Sequence, residues 1–286
     1  MKIPKRPKSL EAWLDLITDR LPPLSTFAIH DPGLERFDPQ KLEQHAVARR
    51  VMQAYFQATF HGLEHVPAQG GALLVGNHGR TGLDAFIFAA LAYDALSRPV
   101  RSLADRRMFR MPGLRDWIAA FGAAQGNRDN AIQLLREGQL VVVYPGGFKE
   151  VMKKEDQAYQ LLWKNRTGFV QVALEAGVPI IPFAGVGVEE LYQNIPGWDT
   201  IERSWLARRI EEIVGEPLLT PMIGLGPSPI PAPATLSFHF DAPIDPTGLN
   251  PSDTDGLLEL QRRVKSAIEG LLEPHRMGEA PGDETG

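Results

Sequence analysis

The sequence predicts an α/β fold: a single domain whose mainly parallel central sheet is covered by helices on both faces, with an N-terminal helical segment before it. Three observations carry this. Short, wholly apolar runs recur, GALLV at 71–75, LVVVY at 140–144 and VPIIPF at 178–183, and strands buried on both faces read as such unbroken runs. Stretches of helical period lie between them, which is the alternation of a βαβ architecture. The 286 residues are 43% apolar and 23% charged, enough apolar mass for one sizeable core.

The elements follow in order. After Ser9, an N-cap candidate, Leu10, Trp13, Leu14, Ile17 and Leu21 recur at helical spacing until Pro22 and Pro23 stop the pattern. Asp38-Pro39 opens a second helix, running to about Gln57. Residues 1–54 are therefore expected as a helical segment packed on the body, and 55–273 as the main domain. That domain reads as strand GALLV, a helix from Asp84, a short strand near Val100, then the strands at 140–144 and 178–183, with helices between. DTIERSWLARRIEEIV at 199–214 has the pattern of a surface helix. The next stretch, EPLLTPMIGLGPSPIPAPA, holds six prolines and cannot be regular structure. TLSFHF and a helix from about Ser252 to Leu272 are too small for a core of their own and complete the same sheet. Residues 274–286 read as a disordered tail.

Composition excludes several classes. A net charge of −5 gives no global basic field for nucleic acid. The absence of cysteine removes disulfides, thiolate nucleophiles and cysteine–zinc sites. MKIPKRPKSLEAW is positively charged but has no apolar centre, so it does not read as a signal peptide. The best apolar run, DAFIFAALAYDAL, is shorter than the roughly 20 residues a spanning helix needs. One segment is locally basic, with Arg98, Arg101, Arg106, Arg107, Arg110 and Arg115 against Asp105 and Asp116. A solvated helix face and a surface for anionic headgroups or a phosphorylated carrier both fit it.

In open α/β sheets ligands bind at the carboxyl ends of strands, and three such ends carry unusual chemistry. In VGNHGRTGLD, His78 comes just after GALLV, past Gly76 and Asn77, and Asp84 lies at the start of the next helix. A neutral imidazole can take a proton from a hydroxyl if a carboxylate on its other nitrogen fixes the tautomer. Asp84 capping its helix beside a polar loop histidine fits the letters as well. In LVVVYPGGFKE, Gly146 and Gly147 offer main-chain N–H groups to a phosphate or an oxyanion, although any tight turn can use such a pair. In FGAAQGNRDNAIQLL, Arg128 precedes a helix opened by Asp129 or Asn130, an arrangement that suits an anion or merely a surface arginine. HGLEH at 61–65 has the letters of a zinc-peptidase motif, but Gly62 and the following Val-Pro-Ala-Gln-Gly-Gly make it a turn. The G-x-S-x-G of a serine hydrolase is absent.

With these pieces in order, the chain resembles the glycerolipid (lysophosphatidic acid) acyltransferase superfamily over roughly residues 55–245. FHGLEHVPAQGGALLVGNH is similar to the superfamily's opening strand, its Gly-x-Glu-x-x-Pro turn and its Asn-His. GNRDNAIQLLREGQLVVVYPGG continues the match, and KNRTGFVQVALEAGVPIIPFAGVGVEELY resembles the corresponding block of the type-two diacylglycerol acyltransferase branch. Two departures stand out. The superfamily pattern puts four residues between His and Asp, whereas five separate His78 from Asp84. Its Pro-Glu-Gly-Thr-Arg is here Pro-Gly-Gly-Phe-Lys at 145–149. The missing glutamate and the shifted basic residue favour an uncharged acceptor over a lysophospholipid.

The resemblance implies an O-acyltransferase that moves a fatty acyl group from acyl-CoA or acyl carrier protein to a lipid hydroxyl. His78 would be the general base and Asp84 its partner. Asn77, Arg128, Gly146, Gly147 and Lys149 would contact substrate. It implies no metal and no cofactor beyond the acyl donor, and no nucleic-acid partner. The expected place is cytoplasmic, peripheral on the inner face of a membrane, touched through the N-terminal helix and the apolar turns MIGLG and PIPAP. A non-catalytic lipid-binding protein of the same fold and an acyl-thioester or lipid hydrolase are the alternatives.

Overall fold

The computed structural model describes residues 37–105, 108–110, 114–153, 155–195, 204–205, 222–228 and 230–276. The expected helix at 10–21 lies outside them, as does the one at 199–214 apart from residues 204–205.

The chain enters through α1 (Pro39–Gln44) and α2 (Ala46–Phe56). Asp38 caps α1, its carboxylate accepting from Gln40 N at 2.9 Å, and His45 breaks the single expected helix into two. Strands β1 (Thr59–His61), β2 (Ala72–Gly76), β3 (Val100–Ala104), β4 (Ala124–Gln125), β5 (Leu140–Val143), β6 (Ile180–Val186) and β9 (Ser237–Phe240) form one seven-stranded sheet in the order β1-β9-β6-β2-β5-β3-β4. A separate antiparallel pair joins β7 (Gln193–Asn194) to β8 (Met222–Ile223). The large sheet is parallel except where β9 runs against β6, pairing Phe183 with Phe240 and Val186 with Ser237.

Side chains alternate across this sheet, so each apolar strand feeds two cores. Leu73 and Val75 of β2 face α5 (Arg128–Arg136), α7 (Gly168–Ala176) and the long α8 (Thr254–Arg276), in a core centred on Trp163, Val170 and Val264. Ala72 and Leu74 face α3 (Asp84–Leu96) and α2, with Phe88, Phe183 and Phe238 in contact. Helices thus cover both faces. The remaining helices are α4 (Leu114–Ala120) and the single turn α6 (Phe148–Val151).

Two expectations need correction. The last helix does not stop near Leu272 but runs to Arg276, through Pro274. A proline so near the end forfeits a backbone bond only in the last turn, where little helix remains to disrupt. Nor do Arg98 and Arg101 form an anion-binding surface. Arg98 staples three loops, donating to the carbonyls of Pro67, of Gly70 at 2.7 Å and of Gly138 at 2.8 Å. Arg101 is buried, donates to the Gly122 carbonyl and the Gln139 side chain at 2.8 Å each, and lies 4.1 Å from the Phe37 ring centre.

Candidate active site

β2 is the middle strand of the sheet, and its carboxyl end delivers Asn77 and His78. The Asn77 amide makes a reciprocal pair with β6, donating to Gly185 O at 2.9 Å and accepting from Gly185 N at 2.7 Å. Asn77 is only 1% exposed. Its side chain ties β2 to β6 through both of these bonds.

The chain then folds back so that His78 and Asp84 meet. His78 Nδ1 lies 2.9 Å from Asp84 Oδ2, and the same oxygen accepts from Gly79 N at 3.0 Å. Asp84 occupies the first turn of α3, but its carboxylate serves the histidine loop, and no side chain caps that helix. With Oδ2 on Nδ1, the tautomer carrying its proton there is fixed, and Nε2 is left as the basic nitrogen. The His78 side chain is 11% exposed. Gly82, at φ +75°, passes beside it, and a Cβ there would sit 3.5 Å from both Cε1 and Nε2. A side chain at that position would be both strained and in the way of the basic nitrogen. The Tyr144 ring stacks on the imidazole, centroids 4.2 Å apart and 12° from parallel. Burial, with the Asp84 charge adding to it, pushes the Tyr144 hydroxyl well above its ordinary value, so it stays neutral.

Below the imidazole lies a buried charged cluster that sequence reasoning gave no role. Glu150, fully buried, accepts from His78 N at 3.1 Å and from Leu162 N at 2.9 Å. Lys153 Nζ donates to His78 O at 2.8 Å and pairs with Glu189. Glu189 also accepts from Tyr159 N at 3.2 Å, while its own carbonyl takes a bond from Arg80 at 3.0 Å. Burial raises the carboxyl values of Glu150 and Glu189, and Lys153 opposes the rise in both. The signal was faint. Glu150 and Lys153 stand three apart, the spacing that puts two side chains on one side of a helical turn.

The other expected contacts fall elsewhere. Gly147 N donates to Tyr144 O at 2.9 Å, closing the turn. Gly146 is required for space, because a Cβ there would lie 2.1 Å from Glu150 Cδ. Arg128 opens α5 behind Asn127, the actual cap, and is held on the surface by Glu175 at 2.6 Å and Gln171 at 2.9 Å. Lys149 is exposed beside Lys164 and Arg166; a side-chain hydrogen bond with Lys164 and like charge hold it below its ordinary value. Among the described residues, no group of His, Asp and Glu is arranged to hold a metal.

Comparison with known proteins bears on this geometry. Residues 57–186 match the acyltransferase family. A Bos taurus protein named "DGAT1/2-independent enzyme synthesizing storage lipids" is 31% identical over 216 residues, covering 76% of this chain and 59% of that one. Its Homo sapiens counterpart is 31% identical over the same length and is covered to 61%. An uncharacterized Mycobacterium tuberculosis protein is 28% identical over 250 residues, 82% of this chain and 67% of its own. The chain spans about three-fifths of the length of the animal relatives. Among solved structures, the 1-acyl-sn-glycerophosphate acyltransferase of Thermotoga maritima matches with a TM-score of 0.47 and 17% identity, over 91% of this chain and 88% of that one.

Proposed function

We propose that the chain, whose residues 57–186 match the acyltransferase family, transfers a fatty acyl group from an acyl thioester, on coenzyme A or acyl carrier protein, to a lipid hydroxyl. His78 Nε2 takes the hydroxyl proton as the oxygen attacks the thioester carbonyl. The tetrahedral intermediate collapses, the carbon–sulfur bond breaks, and the proton passes from the imidazolium to the departing thiolate. Ester and free thiol leave, and the enzyme returns to its starting state with no covalent intermediate. Asp84 orients the ring and stabilises the imidazolium, and Tyr144 holds its face. One observation carries the reading: an imidazole bonded to a buried carboxylate through Nδ1, with Nε2 bordered by a glycine, at the carboxyl end of the central strand.

Lys149, with Lys164 and Arg166 beside it, is the surface suited to the carrier's phosphates. The protein works at a membrane surface. No helix among the described residues is long and apolar enough to cross a bilayer. Val47 and Val51, one turn apart on α2, are 72% and 64% exposed, and Leu225 and Ile230 of the proline-rich turns are 49% and 55% exposed. Such side chains support contact with a membrane surface.

The test is coenzyme A release from a long-chain acyl-CoA in mixed micelles, with diacylglycerol, lysophosphatidate or no lipid alcohol present. Release that depends on an alcohol, with the matching ester found by mass spectrometry, is the expected outcome. Release of free fatty acid at an equal rate without alcohol would make the protein a hydrolase. No release under any condition would leave lipid binding alone.

A further inference from the structure

We propose that Glu150 is a positioning residue for this reaction: from α6 it supplies the carboxylate that position 146 lacks, and with Lys153 it holds the peptide groups on both sides of His78. The proposal rests on the acyl-transfer reading for its kinetics but on geometry for its substance. His78 lies two residues past Gly76, the last residue of β2, so the ladder no longer fixes its backbone. Glu150 Oε2 takes its N–H at 3.1 Å, and Lys153 takes its carbonyl at 2.8 Å. The second Glu150 oxygen takes Leu162 N at 2.9 Å, joining the 161–163 segment to the same point. Two N–H donors from distant segments converge on one side chain, and a carboxylate offers an acceptor to each. Lys153, itself buried, offsets the charge.

The space is as telling as the bonds. A Cβ on Gly146 would lie 2.1 Å from Glu150 Cδ, 2.3 Å from Cγ and 2.4 Å from Oε1. A glutamate at 146, as the superfamily pattern has it, and Glu150 in its present place therefore exclude each other. Gly146 is not among the glycines with positive φ, so only the occupied space bars a side chain there. The departure noted in Pro-Gly-Gly-Phe-Lys is then a relocation by four residues, with the carboxylate now reaching the His78 loop from the following helical turn.

Three variants test this: Glu150→Gln, Glu150→Ala, and Glu150→Ala combined with Gly146→Glu. Each is measured for kcat and KM in the thiol-release assay, for thermal midpoint, and for hydrogen exchange of the His78 amide by NMR. Gln keeps the shape but turns an NH2 toward one of the two N–H groups. It is expected to lose about tenfold in kcat, the scale of one charge-assisted bond, with KM within about twofold and faster exchange at His78. The double variant is expected to recover most of the kcat that Glu150→Ala loses and to slow that exchange again. Wild-type kcat in Glu150→Gln, or a folded double variant no better than Glu150→Ala, overturns the proposal. If the wild-type protein releases no thiol, acyl transfer falls, and His78 exchange alone decides: unchanged in Glu150→Gln, it overturns the clamp; accelerated there and slowed in the double variant, it upholds it.

Discussion

Replacing Asp84 by Asn separates two jobs of that carboxylate, because the loop dictates how the amide must sit. Oδ2 accepts both from His78 Nδ1 at 2.9 Å and from Gly79 N at 3.0 Å, while Oδ1 is buried with no hydrogen-bond partner. Two converging N–H groups oblige the new amide to place its oxygen at the Oδ2 site and its NH2 at the Oδ1 site. The tautomer and the ring orientation survive, and only the negative charge is lost. A full unit-charge pair at about 4 Å is worth about 4 kcal/mol at an effective dielectric of 20. The amide carbonyl dipole retains part of that, which leaves a loss of about 2–4 kcal/mol, or roughly 30- to 1000-fold in kcat.

Asp84→Ala removes the bonds as well and strands two buried N–H groups, at about 1–3 kcal/mol each. It should therefore fall further in kcat and also lower the thermal midpoint. The assay is thiol release at saturating acyl-CoA and acceptor, with the midpoint measured on the same samples. An Asp84→Asn rate within about threefold of wild type would show that the charge does not assist the reaction. Equal losses in the two variants would refute the claim that Gly79 N orients the amide.

Three further outcomes follow from the structure. Asn77→Ala leaves the Gly185 N–H and carbonyl unpaired between β2 and β6, so urea unfolding should lose about 2–4 kcal/mol; a loss under about 0.5 kcal/mol would contradict the strand tie. Gly82→Val strains a φ of +75° and crowds Nε2, so kcat/KM should fall even at temperatures where the variant is fully folded; unchanged kcat/KM would contradict the open side of the ring. His239, half-buried between His61 and His275, is pushed down to about 4 by burial first and by those two rings second. Its folded value lies below the unfolded one near 6.5, so the unfolded chain binds more protons between them and stability falls as pH drops through that window. After screening the effect is about 1 kcal/mol; His239→Gln should flatten the slope of melting temperature against pH from about 6.5 to 4, and an unchanged slope would contradict it.

The sheet was legible because its signal is local. GALLV, LVVVY and VPIIPF became β2, β5 and β6, all buried, and the helical stretches between them cover both faces. The direction of β9 was not legible, since pairing against β6 depends on the path between residues 195 and 237 rather than on the letters SFHF. The same division holds at the site. His78 and Asp84 are six apart and meet across a loop that their own glycines shape. Asn77 finds its partner 108 residues away in Gly185, and Glu150 reaches His78 across 72 residues. Those separations leave no periodicity to read, so neither the backbone tie nor the positioning carboxylate was legible. Lys149 and Arg128 were both basic residues near glycines, and only the packing of α7 puts Glu175 against the second.

The account depends on the His78 imidazole removing the acceptor's proton, and a single-turnover comparison of wild type and His78→Ala tests it most directly. Enzyme in excess over radiolabelled acyl-CoA and a saturating lipid alcohol would be quenched over time, with ester counted and the fold of each protein checked by circular dichroism. General-base help predicts that the variant, still folded, forms ester about 10²–10⁴-fold more slowly. Ester formation by folded His78→Ala at the wild-type rate would contradict the account.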